Sequence, residues 1–356
     1  MLESHVKQYL KTLSFVGFFV FCFLSCSKDD TTDSTDTGGD PDPSGEQTIF
    51  EENFILGKDS KLINYVLPEA EYNKFIAGNG DFAMVSKKVY EYLNDNFDFI
   101  FILSVETEQP DGLYFGITQK VKNDVEGIGS SIYNNTASYG SQGTLKSIIH
   151  MPKTEYIRTG PFLHEIMHYW ANYDFIPTTV GGHWGYSSAG GQLGGFDELT
   201  DLGGGSYKAN ITGKTSFGVN ANGGNTVAYS NLELYLMGLI TAGELQSVQV
   251  AENPSSTGNG TFTADAITTI TATELITKNG ARIPSQENSQ KNFKAITVVI
   301  STAKLSDEKI TSITVNLDNF SKNSAPDQSW GNALNFWQAT GERATLEIDI
   351  SQANIK

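Results

Sequence analysis

Gly160-Pro161-Phe162-Leu163-His164-Glu165-Ile166-Met167-His168-Tyr169-Trp170 is the stretch from which the rest of this 356-residue chain is read. Proline at a first helical position, with glycine before it, marks a helix start. His164 and His168 are four apart, so both imidazoles leave one helix face with Cβ atoms about 5–6 Å apart. That spacing suits two nitrogens of a tetrahedral Zn²⁺ bound at about 2.0–2.1 Å. Glu165 lies roughly 100° further around the helix, beside such a metal rather than on it. From there it can take a proton from a zinc-acidified water and pass it to a leaving amine. Ile166, Met167, Tyr169 and Trp170 carry no charge and are mostly large, as a buried metal helix requires.

Working outward, the segments before this helix read as one helix and several strands. Phe82, Val85, Val89 and Leu93 are spaced for an amphipathic helix over Asp81–Asn94. Phe97–Val105 is apolar and β-rich, a buried strand, and Leu113–Val121 and Leu145–Met151 are further strand candidates. From Val180 to Asn225 glycine is dense, but Trp184, Tyr186, Leu193, Phe196, Leu199 and Tyr207 are interleaved, which points to ordered loops over a surface rather than a linker. Tyr229–Thr241 reads as a second helix, opened by Ser230 and Asn231. Strands are expected over Phe262–Ile283 and Phe293–Ile300, a helix over Thr302–Ile310 and a last strand over Ala344–Ile350. With no repeat and no boundary after residue 49, these elements predict one α+β domain over 49–356.

The amino terminus reads as an address. Lys7 and Lys11 precede an apolar run from Leu13 to Leu24, too short for a spanning helix and suited to a secretory signal over residues 1–25. Leu24-Ser25-Cys26 resembles the lipobox of bacterial lipoproteins, which implies removal of the signal and lipidation of Cys26. Ser27-Lys28-Asp29-Asp30 resembles the acidic export signal of some surface lipoproteins. The resemblance implies an outer-membrane lipoprotein, its membrane contact made through the lipid alone, with the cell surface as one destination. Residues 26–48 hold no large hydrophobic side chain after Cys26 and read as a disordered acidic tether.

Composition narrows the function classes. With 24 Lys+Arg against 41 Asp+Glu the formal charge is −17, and a hydrophobic fraction of 39% fits a folded body. The tether carries −6 and the signal +1, so residues 49–356 keep −12. That balance argues against nucleic acid as a partner. Both cysteines, Cys22 and Cys26, fall in the signal region, which excludes a disulfide scaffold.

A zinc site with a free position needs a third ligand. His183 leads, in Gly-Gly-His-Trp-Gly, where glycine permits close backbone approach. Glu233 is an alternative on the second helix, although Ser230-Asn231-Leu232-Glu233 is also a capping box. Asp174, six residues after His168, is the other alternative, or simply closes the helix. Tyr186, Tyr229 and Tyr235 are candidate oxyanion donors by type.

HEIMHYW resembles the active-site helix of the zincin metallopeptidases, and the strands before it match the sheet that family sets beside its substrate. The HWG loop followed by YSNLELYLMGL also resembles an uncharacterised group of secreted bacterial HExxH proteins. Pro161 departs from the Val or Thr common three residues before the first histidine, and Ala171 from the glycine of the metzincin pattern. The resemblance implies a zincin-like catalytic domain carrying one Zn²⁺ and cleaving proteins or peptides, with Glu165 as general base. Two other readings stay open: a non-catalytic zinc-containing surface lipoprotein that binds glycan or protein, and a metal hydrolase of a non-peptide substrate.

Overall fold

The apolar run Phe99–Leu103 is buried at every position, as a strand covered on both faces requires. It lies inside an eight-stranded mixed sheet. A computed structural model describes residues 49–171, 174–177, 180–210 and 224–356. The signal, the tether and Cys26 lie outside the described residues. The sheet strands in chain order are β1 (Ile49–Glu51), β2 (Phe54–Leu56), β3 (Leu62–Val66), β4 (Phe99–Leu103), β5 (Ile117–Lys120), β6 (Ser147–Met151), β7 (Asn292–Ser301) and β8 (Thr345–Glu347). Their spatial order is β1-β2-β3-β7-β4-β6-β5, with β8 beside β7. β3, β7, β4 and β6 run parallel. β5 closes the edge antiparallel to β6, with Ile117 opposite His150 and Thr118 opposite Ile149.

Side-chain alternation along these strands builds two cores. Phe99, Phe101, Leu103, Ile149 and Met151 face one layer, which includes the helix α3 (Phe162–Met167). Ile100, Ile102, Ile148, Ile296 and Val298 face the other, under α1 (Glu69–Ile76) and α2 (Phe82–Tyr92). The protein is therefore α+β with helices on both faces of a mixed sheet. Phe162 anchors α3 by meeting Phe101 at 4.6 Å and Phe320 at 4.7 Å between ring centroids. Each such buried ring contributes about 1.5–3 kcal/mol through the apolar surface it withdraws from water.

The second expected helix is α4 (Asn231–Met237), opened by Ser230 in a full capping box and closed by Gly238 in the left-handed conformation. The expected strand over Phe262–Ile283 breaks into two short strands, Thr261–Thr263 and Ala266–Ile270, followed by α5 (Ala272–Asn279). Thr271 and Glu274 form a capping box there, which overrides the β-branched composition. The expected helix over Thr302–Ile310 starts later and runs further, as α6 (Asp307–Ser321), with Ile310, Ile313, Leu317 and Phe320 buried on one stripe. The glycine-rich region contains a hairpin of Glu198–Gly203 with Ser206–Asn210, and its residues 211–223 lie outside the described residues. Among the described residues no helix is long and apolar enough to cross a membrane.

Candidate metal centre

α3 has no side-chain cap of its own at Pro161. Asn225, 62 residues along the chain, supplies one: its Oδ1 accepts from Leu163 N at 2.9 Å, and its Nδ2 donates to Ile157 O at 2.7 Å. Below the helix, Tyr229 donates its hydroxyl to Leu163 O at 2.8 Å. The first turn of the helix is thus held through both the N–H and the carbonyl of Leu163 before any ligand is considered.

His164 and His168 leave this helix toward one point, and His183 comes from the glycine-rich loop to meet them. The Nε2 atoms of His168 and His183 each lie 3.1 Å from Nε2 of His164. All three ligand nitrogens fall within 4.8 Å of one another, so the group can hold a metal ion. Nitrogens bound at ~2.0–2.1 Å in tetrahedral directions sit about 3.3 Å apart, close to this spacing.

The hydrogen bonds at the far sides of two rings fix which nitrogens carry protons. His164 Nδ1 is 2.7 Å from Gln192 O, and His183 Nδ1 is 2.9 Å from Gly181 O. A carbonyl only accepts, so both Nδ1 atoms donate, and in a neutral ring both Nε2 atoms carry lone pairs. Two lone pairs facing each other at 3.1 Å repel unless a cation lies between them. A proton is a poor candidate, because burial, reinforced by His183, pulls His164 down to about 3. Burial also holds His168 well below its ordinary range and lowers His183. Three neutral imidazoles, two of them oriented by backbone carbonyls, form a donor set suited to a divalent cation.

Glu165 is buried beside this group. Burial pushes its carboxyl up to about 8, while the Thr118 hydroxyl partly opposes the shift. A dication at the three nitrogens would draw it down again. Thr118 Oγ1, on β5, lies 2.9 Å from Glu165 Oε2 and 2.6 Å from Glu165 O. Gly116 permits this approach, since a Cβ there would stand 2.7 Å from Glu165 Cγ and 2.9 Å from Oε1.

The two alternative third ligands stand elsewhere. Glu233 is fully buried and accepts four N–H groups: Trp184 Nε1 at 3.0 Å, Gln192 N at 3.0 Å, Leu193 N at 2.8 Å and Ser230 N at 2.9 Å. It locks the loop that carries His183 and the carbonyl that orients His164. Gly191 is required for this lock, because a Cβ there would meet Glu233 Oε2 at 2.0 Å. Asp174 is exposed, and its backbone carbonyl accepts from Lys278. Neither belongs to the three-nitrogen group.

The centre opens into a cleft of about 670 Å³ walled by β5, the start of α3 and the histidine loop. Phe115 and Tyr156 line one part, Lys120 and Ala171 another. Tyr186, Tyr229 and Tyr235 do not line it, whereas Tyr114 and Tyr156 do. Tyr229 is committed to Leu163 O, and Tyr186 packs on Phe262. No protein-family model, curated protein or solved structure matches this chain. Thr118, Gly116, Gln192 and Asn225 escape sequence reading, because each acts through a contact far along the chain.

Proposed function

We propose that the protein is a zinc-dependent peptidase with a zincin-like catalytic domain, in which His164, His168 and His183 hold one Zn²⁺. The observation that carries this reading is the facing pair of lone-pair nitrogens, with a third imidazole and a buried carboxyl, at the wall of an open cleft. When bound, zinc supplies a Lewis acid that polarises a carbonyl and acidifies water. Glu165 takes the proton of the attacking water and returns it to the leaving amine. Oε1 is the free oxygen for this exchange, since Oε2 is engaged by Thr118. β5, as an edge strand antiparallel to its neighbour, offers backbone N–H and C=O groups to an extended substrate.

A purely structural zinc is less well supported. Structural sites are closed by four protein ligands, and among the described residues only three gather here. The undescribed internal stretches 172–173, 178–179 and 211–223 contain no His, Cys, Asp or Glu to complete the set. The same reading keeps the lipoprotein signal over 1–25, lipidated Cys26 and an outer-membrane location as parts of the proposal, resting on the Leu24-Ser25-Cys26 sequence.

A soluble form starting at residue 27 is expected to bind about one zinc per chain and to cleave denatured protein in a chelator-sensitive way. Glu165→Gln is expected to keep the zinc and lose about 10²–10⁴ in rate. Full activity in that variant, or no zinc after mild purification, would overturn the reading. Activity confined to non-peptide esters or amides would move it to the other hydrolase class.

A further inference from the structure

Lys120 ends β5 and lines the cleft together with His168, Ala171 and His183. Its Nζ donates to Ala171 O at 2.8 Å, which engages one of three N–H groups. That bond caps a carbonyl just beyond the metal helix without neutralising the charge. Nearby lysines are treated differently. Lys122 pairs with Asp124 at 2.8 Å and Lys146 with Asp98 at 3.1 Å. No carboxylate among the described residues pairs with Lys120, and the undescribed internal stretches contain no Asp or Glu. Among the described residues of a chain with 41 acidic and 24 basic residues, a half-buried ammonium thus stands without a counter-charge at the wall of the cleft. Burial draws Lys120 down to about 8, so a cation without a partner is costly to keep there.

Position along the strand makes this cation useful. Thr118 and Lys120 are the two inward residues of β5, in an exposed–inward alternation with Ile117 and Gln119. Residues two apart on a strand are about 6.6–6.8 Å apart on one face. Lys120 thus stands one step along the same face from the hydroxyl that touches Glu165. The opposite part of the cleft, at Phe115 and Tyr156, is aromatic, with ring centroids 6.1 Å apart. The cleft has an apolar part, a central donor set and a cationic part.

We propose that Lys120 is a carboxylate-recognising subsite, which selects substrates carrying an acidic side chain or a free C-terminal carboxylate beside the bond at the metal centre. This deepens the peptidase reading of the same cleft and rests on it for the word substrate. The ammonium supplies two further N–H donors and a charge in a partly desolvated setting, where an ion pair is stronger than on an open surface.

The test uses the chain from residue 27 carrying Glu165→Gln, zinc-loaded and chelator-stripped, and acetyl-capped alanine pentapeptides. One set carries a single Asp or Asn at each position in turn with an amidated C-terminus. The other has neutral side chains and ends in a free carboxylate or an amide. Binding is measured by calorimetry or fluorescence anisotropy. We expect at least one acid peptide to bind about tenfold tighter than its amide partner, and the set in which this occurs identifies the source of the carboxylate. Lys120→Gln, which keeps a donor for Ala171 O, is expected to abolish the difference, and Lys120→Arg to retain it. Equal binding of acid and amide peptides, an unchanged preference in Lys120→Gln, or no binding of any peptide would overturn the subsite. A Lys120-dependent preference in a protein that takes up no zinc would leave the subsite standing and overturn the peptidase reading instead.

Discussion

The two sides of the candidate metal centre are built by opposite means. His164 and His168 share a helix, so their spacing follows from helical geometry within five residues. His183 sits on a glycine-rich loop and reaches the same point only because a buried carboxylate on another helix gathers that loop. Helix-borne ligands need packing behind them, which Phe101, Phe162 and Phe320 supply. A loop-borne ligand needs directed hydrogen bonds, because a loop has no internal ladder to hold it. The contrast predicts that zinc affinity and stability separate when a ligand ring is removed, and move together when the carboxylate that gathers the loop is removed.

The largest effect is expected from the ligands themselves. Structural zinc sites of four ligands bind with about 10–16 kcal/mol, so one ligand is worth about 3 kcal/mol, roughly a hundredfold in affinity. His168→Ala and His183→Ala should each lose about that much in competitive zinc titration. Denaturant unfolding of metal-free His183→Ala should change little, since removal of a ring that faces His164 with a lone pair relieves repulsion. If His183→Ala bound zinc like the parent, the loop would not belong to the centre.

Next comes Glu233→Gln, which tests the loop side directly. The amide keeps the shape, but its NH₂ faces N–H groups that need an acceptor, and each unmet donor costs about 1–3 kcal/mol. The metal-free protein should lose about 3 kcal/mol in denaturant unfolding, and zinc affinity should fall about 10–100-fold, as for other outer-shell partners. Loss of zinc without loss of stability would make Glu233 a ligand after all and remove the contrast.

These two cases show what the sequence could and could not reveal. His164, Glu165 and His168 were legible because their relation is local and periodic. His183 was a choice among three, because the reach of a loop depends on what holds its far end. The capping box at Ser230–Glu233 reads the same whether or not the carboxylate also serves a loop forty residues earlier. Thr118 looked like an ordinary polar residue of an edge strand, since its partner lies 47 residues away. For the fold, the apolar strands and the metal helix were readable from their burial patterns. Thr271–Glu274 was not, because a helix written in threonine and isoleucine imitates a strand until its cap is recognised.

A smaller effect separates the buried groups by pH in the metal-free protein. His150 and His164 are held at about 3 by burial, below the ordinary 6.5. The unfolded chain therefore binds more protons between about 3 and 6.5, and stability rises with pH across that window. Glu165 is held at about 8, above the ordinary 4.5, so the folded chain binds the extra proton and stability falls between about 4.5 and 8. Above about 6.5 the rise from these histidines is complete and the Glu165 decline remains. Unfolding free energies measured at several pH values should show that decline in the parent and a flatter profile in Glu165→Gln.

The smallest effect is expected at Thr118, on the strand that supports the base. The Thr118 hydroxyl lowers the Glu165 carboxyl by favouring its charged form. Thr118→Val keeps the β-branched shape and removes the donor, so the carboxyl should be held higher. With zinc bound, the acid limb of kcat/KM should move upward, and the rate near neutral pH should fall a few-fold, the scale of one hydrogen bond to a charged group at about 1.5–3 kcal/mol reduced by rearrangement of water. A purely structural Thr118 would lower stability and leave that limb in place. Zinc affinity should be unchanged either way, because Thr118 touches Glu165 and none of the three histidines.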